Sequence, residues 1–269
     1  MTFLAEIVAA TRRKVRECRS GADLREMQRQ AEAHVPRGFR KKLESASRSG
    51  IAIIAELKKA SPSRGLIRGN FDASSLAGEL EQAGAAALSV LTDEEFFSGS
   101  LANLRAASAA ARVPCLRKDF IIDEFQILEA RANSADAVLL IVAALSQQEL
   151  LMLAKKAREM QLDSLCEVHD EEELGRALDA GCDLIGVNSR NLQMFQVELG
   201  TAFRVAPSIP PGVVAVAESG IESGSDIARL RSAGYEAFLI GETLMRAPSP
   251  EEALKALLTE ATAAAAGAL

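Results

Sequence analysis

Charged and amide side chains stand directly after short apolar runs at several places in this chain. They occupy the positions where a buried strand would end, and they are Glu56, Lys58, Lys118, Glu167, Asn188 and Glu218. Parallel strands bring their carboxyl ends to one face of a sheet or barrel, so we expect these side chains to share one site. Lysines and carboxylates in one site are suited to general acid–base catalysis on an anionic molecule.

Glu56 and Lys58 are two positions apart at the end of the first apolar run. Residues two apart in a strand face the same side, so both side chains would point into the same site. An ion pair that only closes the end of a barrel would explain these two residues equally well. The loop that follows, Ser61–Gly65, favours a binding site because it is stiff, rich in hydroxyl groups and carries a cation.

Lys118 and Glu167 are the candidate acid and base. Lys118 could form an exposed pair with Asp119, but in an inward position burial and cationic neighbours would lower its pKa and make it a general acid. Glu167 and His169 would face the same side of one strand. Asp170 has the features of a helix N-cap, so we predict that His169 is a loop residue beside that cap and that Glu167 is the base.

Three later segments could bind an anion. Asn188-Ser189-Arg190-Asn191-Leu192 is either an exposed loop or a binding loop, in which Arg190 would suit bidentate contact with a carboxylate or phosphate. Glu218-Ser219-Gly220-Ile221 and Gly241-Glu242-Thr243 follow the last two apolar runs, and their glycines let backbone N–H groups approach a phosphate. The chain has neither a P-loop nor a GxGxxG motif after its first strand, which argues against nucleoside triphosphates and dinucleotides.

Four phenylalanines, Phe96, Phe97, Phe120 and Phe125, follow the second and third apolar runs. Aromatic residues make up only 4% of the chain, so this concentration is notable. The rings could simply pack in the core. If they lie at the mouth of a barrel, they would form an apolar slot for a flat ring.

Alanine-rich helical segments alternate with short apolar runs through most of the chain. Strands are predicted near residues 51–57, 86–91, 113–118, 136–142, 163–167, 183–187, 213–218 and 236–241. Helices are predicted near residues 72–83, 100–111, 123–132, 146–160, 170–180, 199–205, 224–233 and 249–263. This alternation predicts a (βα)8 TIM barrel. Two open, doubly wound domains are the alternative, but they would need a linker near residues 130–160, and none is visible.

The first 48 residues precede the predicted barrel. They begin with an amphipathic helix that has Phe3, Leu4 and Ile7 on one face, and a basic stretch follows with helical character around residues 24–33. We predict that residues 1–48 form a helical extension packed on a barrel of residues 49–269, within one structural domain.

The composition narrows the classes of function. A net charge of −6 argues against a nucleic-acid surface, and no segment has the features of a signal peptide or a membrane span. Four cysteines without CxxC spacing and only two histidines argue against a metal site. Cys115, Cys166 and Cys182 lie in or beside apolar runs, which predicts buried free thiols in a cytoplasmic protein.

In six motifs, the chain resembles the indole-3-glycerol phosphate synthases. The motifs keep their order over about residues 3–250, and they are IIAELKKASPSRG (53–65), LRKDFIIDEFQI (116–127), LCEVHDEEEL (165–174), IGVNSRNL (185–192), AESGI (217–221) and FLIGETLMR (238–246). The resemblance implies ring closure and decarboxylation of 1-(2-carboxyphenylamino)-1-deoxyribulose 5-phosphate to indole-3-glycerol phosphate in tryptophan biosynthesis. It implies no metal or organic cofactor.

The resemblance also implies a role for each site residue. Lys118 would protonate the ribulose carbonyl, Lys58 would hold the leaving carboxylate and Glu167 would be the base in the dehydration. Glu56 and Asn188 would position the reacting groups. The implied phosphate ligands are Ser61, Ser219, Gly220, Gly241 and the backbone at Glu242. The implied contacts on the anthranilate side are Arg190, Glu218, Phe97 and Phe120.

The chain departs from the family at Glu95, where many relatives carry a basic residue, and at Phe96, which is often tyrosine. Two other functions remain open: another phosphate-binding barrel, such as phosphoribosylanthranilate isomerase, and a barrel kept as a binding or scaffold subunit. The isomerase reaction needs a cysteine and an aspartate, whereas these strand ends carry lysine and glutamate. We expect a monomeric enzyme that acts on a small phosphorylated molecule, without a nucleic-acid or membrane partner.

Overall fold

Eight parallel strands close into a barrel in the computed structural model, which describes residues 2–190 and 197–266. The strands are Ala52–Leu57 (β1), Ala87–Leu91 (β2), Cys115–Lys118 (β3), Ala137–Ile141 (β4), Asp163–Val168 (β5), Leu184–Asn188 (β6), Val214–Glu218 (β7) and Ala237–Ile240 (β8). Each strand pairs with its neighbours along the chain, and β8 pairs with β1 to complete the ring. The predicted TIM barrel is confirmed, and the alternative of two open domains is wrong.

Helices precede the barrel and surround it. Three come before β1: Phe3–Gly21 (α1), Leu24–Ala33 (α2) and Phe39–Ser49 (α3). The later helices are Ala73–Gln82 (α4), Leu101–Ala110 (α5), Glu124–Ala132 (α6), Gln147–Glu159 (α7), Glu171–Asp179 (α8), Gly200–Val205 (α9), Gly224–Ser232 (α10), Glu242–Arg246 (α11) and Pro250–Ala266 (α12). In the described part of the chain, no helix is both long enough and apolar enough to cross a bilayer.

Side chains alternate between the inside of the barrel and the layer beneath the helices, as the two-residue period of a strand requires. Along β1, Ala52 and Ile54 belong to the inner apolar cluster, whereas Ile53 and Ala55 pack against the helical layer. The same alternation turns the last inward position of several strands toward the open end of the barrel. Those positions carry the polar side chains described below.

Left-handed turns follow several of the helices. Gly84, Gly181 and Gly234 have φ of 104°, 72° and 107°, values that a residue without a Cβ adopts easily. Ser134 adopts the same conformation, with φ of 65°, at the corresponding position after α6. Each turn reverses the chain after a helix and leads it into the next strand.

The helix α3 was not predicted, because its sequence reads as a polar, basic stretch. Phe39 and Leu43 are nevertheless completely buried, and both belong to the inner cluster of the barrel with Ile54 and Leu184. Two apolar residues four positions apart lie on one face of a helix, and here they pack against the interior of the barrel. The burial of these two side chains therefore determines this helix more than its overall composition does.

Arg37 joins the N-terminal segment to the barrel through a buried carboxylate. Asp136, immediately before β4, accepts hydrogen bonds from the backbone N–H and the guanidinium of Arg37 and from the backbone N–H of Cys115. The His34 Nε2 lies 3.3 Å from the same carboxylate. Burial alone would raise the pKa of Asp136, but these partners outweigh it and lower the pKa below its ordinary value.

Asp136→Asn is expected to destabilise the protein by about 3 kcal/mol, because it leaves a partly buried guanidinium without its charged partner. The pKa of Asp136 is lowered by folding, so its stabilisation is present above the ordinary carboxylate pKa and is lost as the pH falls. Urea unfolding of the wild type and of Asp136→Asn at neutral and acidic pH tests this prediction. The free energies of unfolding of the two proteins should become more alike in acid.

Asp183→Asn is the matched control, since Asp183 precedes β6 as Asp136 precedes β4 but its side chain is 66% exposed. We expect this control to shift the urea midpoint little. Equal shifts for the two variants would mean that the buried Asp136 network does not stabilise the fold.

The prediction of free thiols holds for Cys115, which is buried and unpaired, but it is wrong for Cys166 and Cys182, which form a disulfide. Cys166 lies in β5, and Cys182 lies in the turn before the neighbouring strand β6, so strand pairing brings their Cα atoms to 6.5 Å. The spacing of four cysteines in a sequence does not determine such a pairing.

Candidate active site

One cavity of about 520 Å³ opens at the carboxyl ends of the barrel strands. It is lined by every residue to which the family resemblance assigned a role, except Ser61: Glu56, Lys58, Phe97, Lys118, Phe120, Glu167, Asn188, Arg190, Glu218, Ser219, Gly220, Gly241 and Glu242. The structure thus brings side chains from far-apart segments into a single chamber.

Ser61 lines a smaller side pocket of about 80 Å³ beside this cavity. The two share four lining residues, which are Lys58, Phe97, Phe120 and Arg190. Phe3, Leu4 and Ile7 of α1 form the apolar wall of the side pocket, so the N-terminal extension reaches the site. Asn191 and Leu192, which belonged to the predicted binding loop, lie outside the described residues.

Lys118 is at the centre of the charged groups. Its Nζ donates to Glu167 Oε2 at 3.2 Å and lies 3.9 Å from Glu218 Oε2. Burial alone would lower the pKa of Lys118, but the carboxylates of Glu167, Glu218 and Glu56 outweigh burial and raise the pKa above its ordinary value. The prediction of a lowered lysine pKa is therefore wrong, because its neighbours are anions where cations were expected.

Asp119 does not pair with Lys118. Its carboxylate instead binds the guanidinium of Arg117 at 3.0 Å. Arg117 also binds Glu129 on α6 at 2.9 Å. This ion-pair cluster joins β3 to α6, and Asp119 also lines the cavity.

Glu56 and Lys58 form an ion pair, with 2.6 Å between Glu56 Oε1 and Lys58 Nζ. Burial would raise the pKa of Glu56, but the charges of Lys58 and Lys118 together lower it. Glu56 is therefore ionised at neutral pH although its side chain is almost inaccessible to solvent. The pair contributes to the wall of the cavity, so its charges are available to a bound molecule.

The pKa values of Glu167 and Glu218 are shifted in opposite directions although both residues are buried. Burial raises the pKa of each, but Lys118, His169 and a hydrogen bond with Asn188 bring the pKa of Glu167 below its ordinary value. Burial and the negative charge of Glu167 raise the pKa of Glu218 well above its ordinary value. Glu167 is thus ionised at neutral pH, and Glu218 beside it holds its proton more strongly than an ordinary glutamate.

The raised pKa of Glu218 bears on the charge balance of the predicted site residues. Lys58, Lys118 and Arg190 are three cations, and Glu56, Glu167 and Glu218 are three carboxyl groups, so their formal charges sum to zero. Glu218 holds its proton more strongly than an ordinary glutamate, which shifts this balance toward positive charge. Such a shift favours the binding of an anion in a protein whose total charge is negative.

Backbone N–H groups and arginines surround the other end of the cavity. Ser219 and Gly220 both have positive φ, 66° and 78°, a conformation that forms a concave N–H surface for an anion. Three arginines contact the Glu242 carboxylate, with Nε or Nη to oxygen distances between 3.0 and 3.5 Å: Arg64, Arg190 and Arg246. Sequence reasoning noted Arg64 only as a loop cation and missed Arg246.

Two of the four phenylalanines form the predicted aromatic wall. The rings of Phe97 and Phe120 lie 6.3 Å apart and line the cavity. Phe96 instead packs edge-on against Phe3 of α1, and Phe125 is buried on α6. Asp93, which was not predicted, accepts the backbone N–H groups of Phe96 and Phe97 and holds this loop.

The comparisons with known proteins agree with this geometry. The family model described as "Indole-3-glycerol phosphate synthase" matches residues 4–257. The chain belongs to the indole-3-glycerol phosphate synthase family. A synthase of this name from Koribacter versatilis is 57% identical over 255 residues, which cover 95% of this chain and 98% of that protein. Another, from Desulfotalea psychrophila, is 47% identical over 256 residues, which also cover 95% of this chain and 98% of that protein.

Solved structures of other enzymes share only the fold with this synthase-family chain. A mandelate oxidase superposes with a TM-score of 0.59 at 17% identity and covers 80% of this chain and 73% of that one. A thiamine phosphate pyrophosphorylase from Pyrococcus furiosus superposes with a TM-score of 0.60 at 15% identity. The match covers 80% of this chain and 96% of that one. Membership of the synthase family decides against the isomerase alternative.

Sequence reasoning missed Gly186, an inward position of β6 in this synthase-family barrel. A Cβ at Gly186 would overlap the Oε1 atom of Glu218, so the missing side chain makes room for that carboxyl group. A single glycine inside a strand is a signal for close approach of another group, and this one precedes Asn188 by one inward position.

We expect Gly186→Ala to lower kcat by about 10-fold or more, because a shift of about 1 Å in a catalytic group can cost 100-fold. The methyl group would force the Glu218 carboxyl toward Lys118 and Glu167. Steady-state kinetics of the purified variant measures the loss. Gly175→Ala on α8 is the control, since a Cβ there meets nothing within 4 Å. If Gly186→Ala kept the wild-type kcat, the Glu218 carboxyl group would be able to move aside without loss of activity.

Proposed function

We propose that the cavity of about 520 Å³ is the active site in which this member of the synthase family forms indole-3-glycerol phosphate. The substrate is 1-(2-carboxyphenylamino)-1-deoxyribulose 5-phosphate. The observation that supports this most directly is Lys118 Nζ, 3.2 Å from Glu167 and 3.9 Å from Glu218 at the mouth of the barrel. A lysine, an ionised carboxylate and a second carboxyl group with a raised pKa lie within reach of one bound molecule.

In the first step, the aromatic carbon that bears the carboxylate attacks the ketone of the ribulose chain. A carbon–carbon bond forms, and the ketone oxygen becomes an alkoxide that takes a proton from Lys118. A raised lysine pKa does not prevent this transfer, because an alkoxide is much more basic than an amine. Lys58 holds the carboxylate, which then leaves as carbon dioxide and returns its bonding electrons to the ring.

In the second step, the new ring loses water. Glu167 removes a proton from the ring, and the hydroxyl group leaves with a proton supplied by a neighbouring acid, which closes the indole. Lys118 is the nearest cation to Glu167 and is the candidate for that acid, once it has regained from solvent the proton that it gave to the alkoxide. The proton on Glu167 then returns to Lys118, so both groups end in their starting states. Glu56 and Asn188 position the reacting groups, with the Asn188 Oδ1 held by the Arg190 backbone N–H at 2.9 Å.

The two ends of the substrate carry negative charge and suit different walls of the cavity. The phosphate suits the N–H groups at Ser219, Gly220 and Gly241 and the arginines now engaged by Glu242. Phe97 and Phe120 suit the flat anthranilate ring, and Ser61 in the side pocket contributes a hydroxyl group. In the described residues, no cluster of three or more His, Cys, Asp or Glu side chains is arranged to hold a metal ion.

Indole fluorescence and carbon dioxide release on mixing the protein with this substrate test the proposal. We expect turnover in buffer that contains a metal chelator and no added cofactor. A protein that binds the substrate without producing either signal would be a binding or scaffold subunit, and the proposal would fail.

Three further expectations remain proposals. We propose that residues 1–48 form an extension of the barrel of residues 49–269 within one structural domain, since Arg37 and Asp136 are joined across that boundary. We also propose that the enzyme is a monomer, which sedimentation measurements would test. A cytoplasmic location is the third proposal, and it rests on membership of a biosynthetic enzyme family and not on the cysteines, two of which form a disulfide.

A further inference from the structure

His169 connects the base of the proposed site to the helix behind it. It follows the last residue of β5 and points to the same side as Glu167, two positions earlier. Its Nε2 lies 3.6 Å from Glu167 Oε1, and its Nδ1 lies 2.9 Å from Glu173 Oε2. The imidazole ring thus stands between two carboxylates, one in the cavity wall and one on α8.

Glu173 holds His169 at two points. The same Oε2 atom that faces Nδ1 also accepts the backbone N–H of His169 at 2.9 Å. Glu173 is itself fixed because its backbone N–H donates to Asp170, the N-cap of α8. Since a carboxylate only accepts hydrogen bonds, the Nδ1 of His169 is the donor, and its Nε2 is left to face Glu167.

The Nε2 of His169 is buried and has no hydrogen-bond partner within the normal distance in the described residues. A buried polar atom without a partner is costly, and the nearest acceptor is Glu167 Oε1. A movement of a few tenths of an ångström would convert this approach into a charged hydrogen bond. Lys118 already occupies the other carboxylate oxygen, Oε2, at 3.2 Å.

We propose that His169 is a positioning residue that orients the Glu167 carboxylate and keeps it ionised as the base. This inference rests on the proposed function of the site. His169 acts through Glu167 and does not touch the substrate. It belongs to the same constellation as the other charged groups that face Glu167, which are Lys118 on β3, Glu218 on β7 and Glu56 on β1.

The charge state of the ring agrees with this arrangement. Burial alone would lower the pKa of His169, but Glu173, Glu167 and Asp170 outweigh burial and raise the pKa above its ordinary value. A protonated ring donates from both nitrogen atoms and satisfies both carboxylates at once. Removing the ring would therefore raise the pKa of Glu167, since it removes a positive neighbour.

Kinetics as a function of pH tests the positioning role. We expect His169→Gln to lower kcat/KM by about 10-fold and to move the acid limb of its pH profile upward by about 0.5–1 unit, with KM nearly unchanged. Glu173→Gln should move the acid limb in the same direction by less. Glu172→Gln is the matched control, because Glu172 is a glutamate on the same turn of α8 whose side chain is not among those that contact His169. Ionisation of the substrate affects the pH profiles of all the variants equally, so it cancels when the profiles are compared.

A spectroscopic test does not depend on activity or on the folding of His169→Gln. The chain has only two histidines, so NMR titration resolves the His169 ring once His34 has been assigned. We expect its pKa to fall in Glu167→Gln and in Glu173→Gln, and to stay unchanged in Glu172→Gln.

An acid limb in His169→Gln that coincides with the wild-type limb would overturn the proposal. So would a His169 titration that is the same in wild type and Glu167→Gln. If the wild-type protein showed no turnover, the proposed function would fail. The NMR comparison would still decide whether His169 and Glu167 are coupled.

Discussion

Lys118→Ala is expected to lower the rate of ring closure by about 1,000-fold, because the alkoxide that forms on the ribulose carbon would lose its proton donor. This factor corresponds to about 4 kcal/mol of the activation barrier. Substrate affinity should change by less than about 10-fold, since Lys58, Arg190 and the N–H groups at Ser219 and Gly220 remain to bind the two anionic ends. Single-turnover measurements of carbon dioxide release report the rate, and titration of substrate into the variant reports the affinity.

Chemical rescue would separate lost chemistry from lost structure in this variant. The alanine leaves a space beside Glu167 and Glu218, and both carboxyl groups would attract a small ammonium ion into it. We expect added ethylammonium to restore part of the rate in Lys118→Ala and to leave the wild-type rate unchanged.

Lys155→Ala is the matched control, because the Lys155 side chain is 75% exposed on α7, where its ion-pair partner is Glu159 of the same helix and not a residue of the site. Its rate should equal the wild-type rate with and without the amine. Comparable ring-closure rates in Lys118→Ala and the wild type would show that another group protonates the ketone oxygen.

Local signals in the sequence were sufficient to predict the barrel and the strand ends that line its cavity. One local pattern recurs along the chain: a short apolar run, then a polar residue at an inward position, then an N-capped helix. Strand ends could therefore be located without coordinates. Register then explains why they meet: Asn188 lies opposite Glu218 in the pairing of β6 and β7, and Leu91 lies opposite Lys118 in that of β2 and β3. Every second residue of β6 faces the inside of the barrel, and Gly186 is one of these positions. The same rule could therefore have identified it.

Properties that depend on three-dimensional neighbours could not be predicted in the same way. The pKa of Lys118 is raised because three carboxylates from other strands surround it, and no local pattern gives their distances. The disulfide of Cys166 and Cys182 depends on the pairing of β5 with β6. The helix α3 forms because Phe39 and Leu43 fill the inside of the barrel, a tertiary interaction that outweighs a polar composition.

Glu167→Gln is expected to stall the dehydration step by about 100-fold or more while ring closure and decarboxylation continue. Glutamine has nearly the same shape and can still accept the Lys118 hydrogen bond, but it cannot take a proton at neutral pH. Rapid-quench analysis should then show an intermediate that has lost carbon dioxide and still carries its hydroxyl group. If carbon dioxide release slowed equally and no intermediate accumulated, Glu167 would act in ring closure and the assignment of the base would be wrong.

The pairing of Glu167 with Glu218 sharpens this prediction. The pKa of Glu218 is raised in part by the negative charge of Glu167, so the neutral amide of the Glu167→Gln variant should let Glu218 ionise at a lower pH. Lys118 would then keep a carboxylate partner, which is why ring closure should survive the substitution. Glu218 would also become a substitute base, so the double variant Glu167→Gln/Glu218→Gln should dehydrate the intermediate more slowly than Glu167→Gln alone. Equal dehydration rates in the single and double variants would show that the two carboxyl groups act independently, whereas a further loss would locate the residual activity in Glu218.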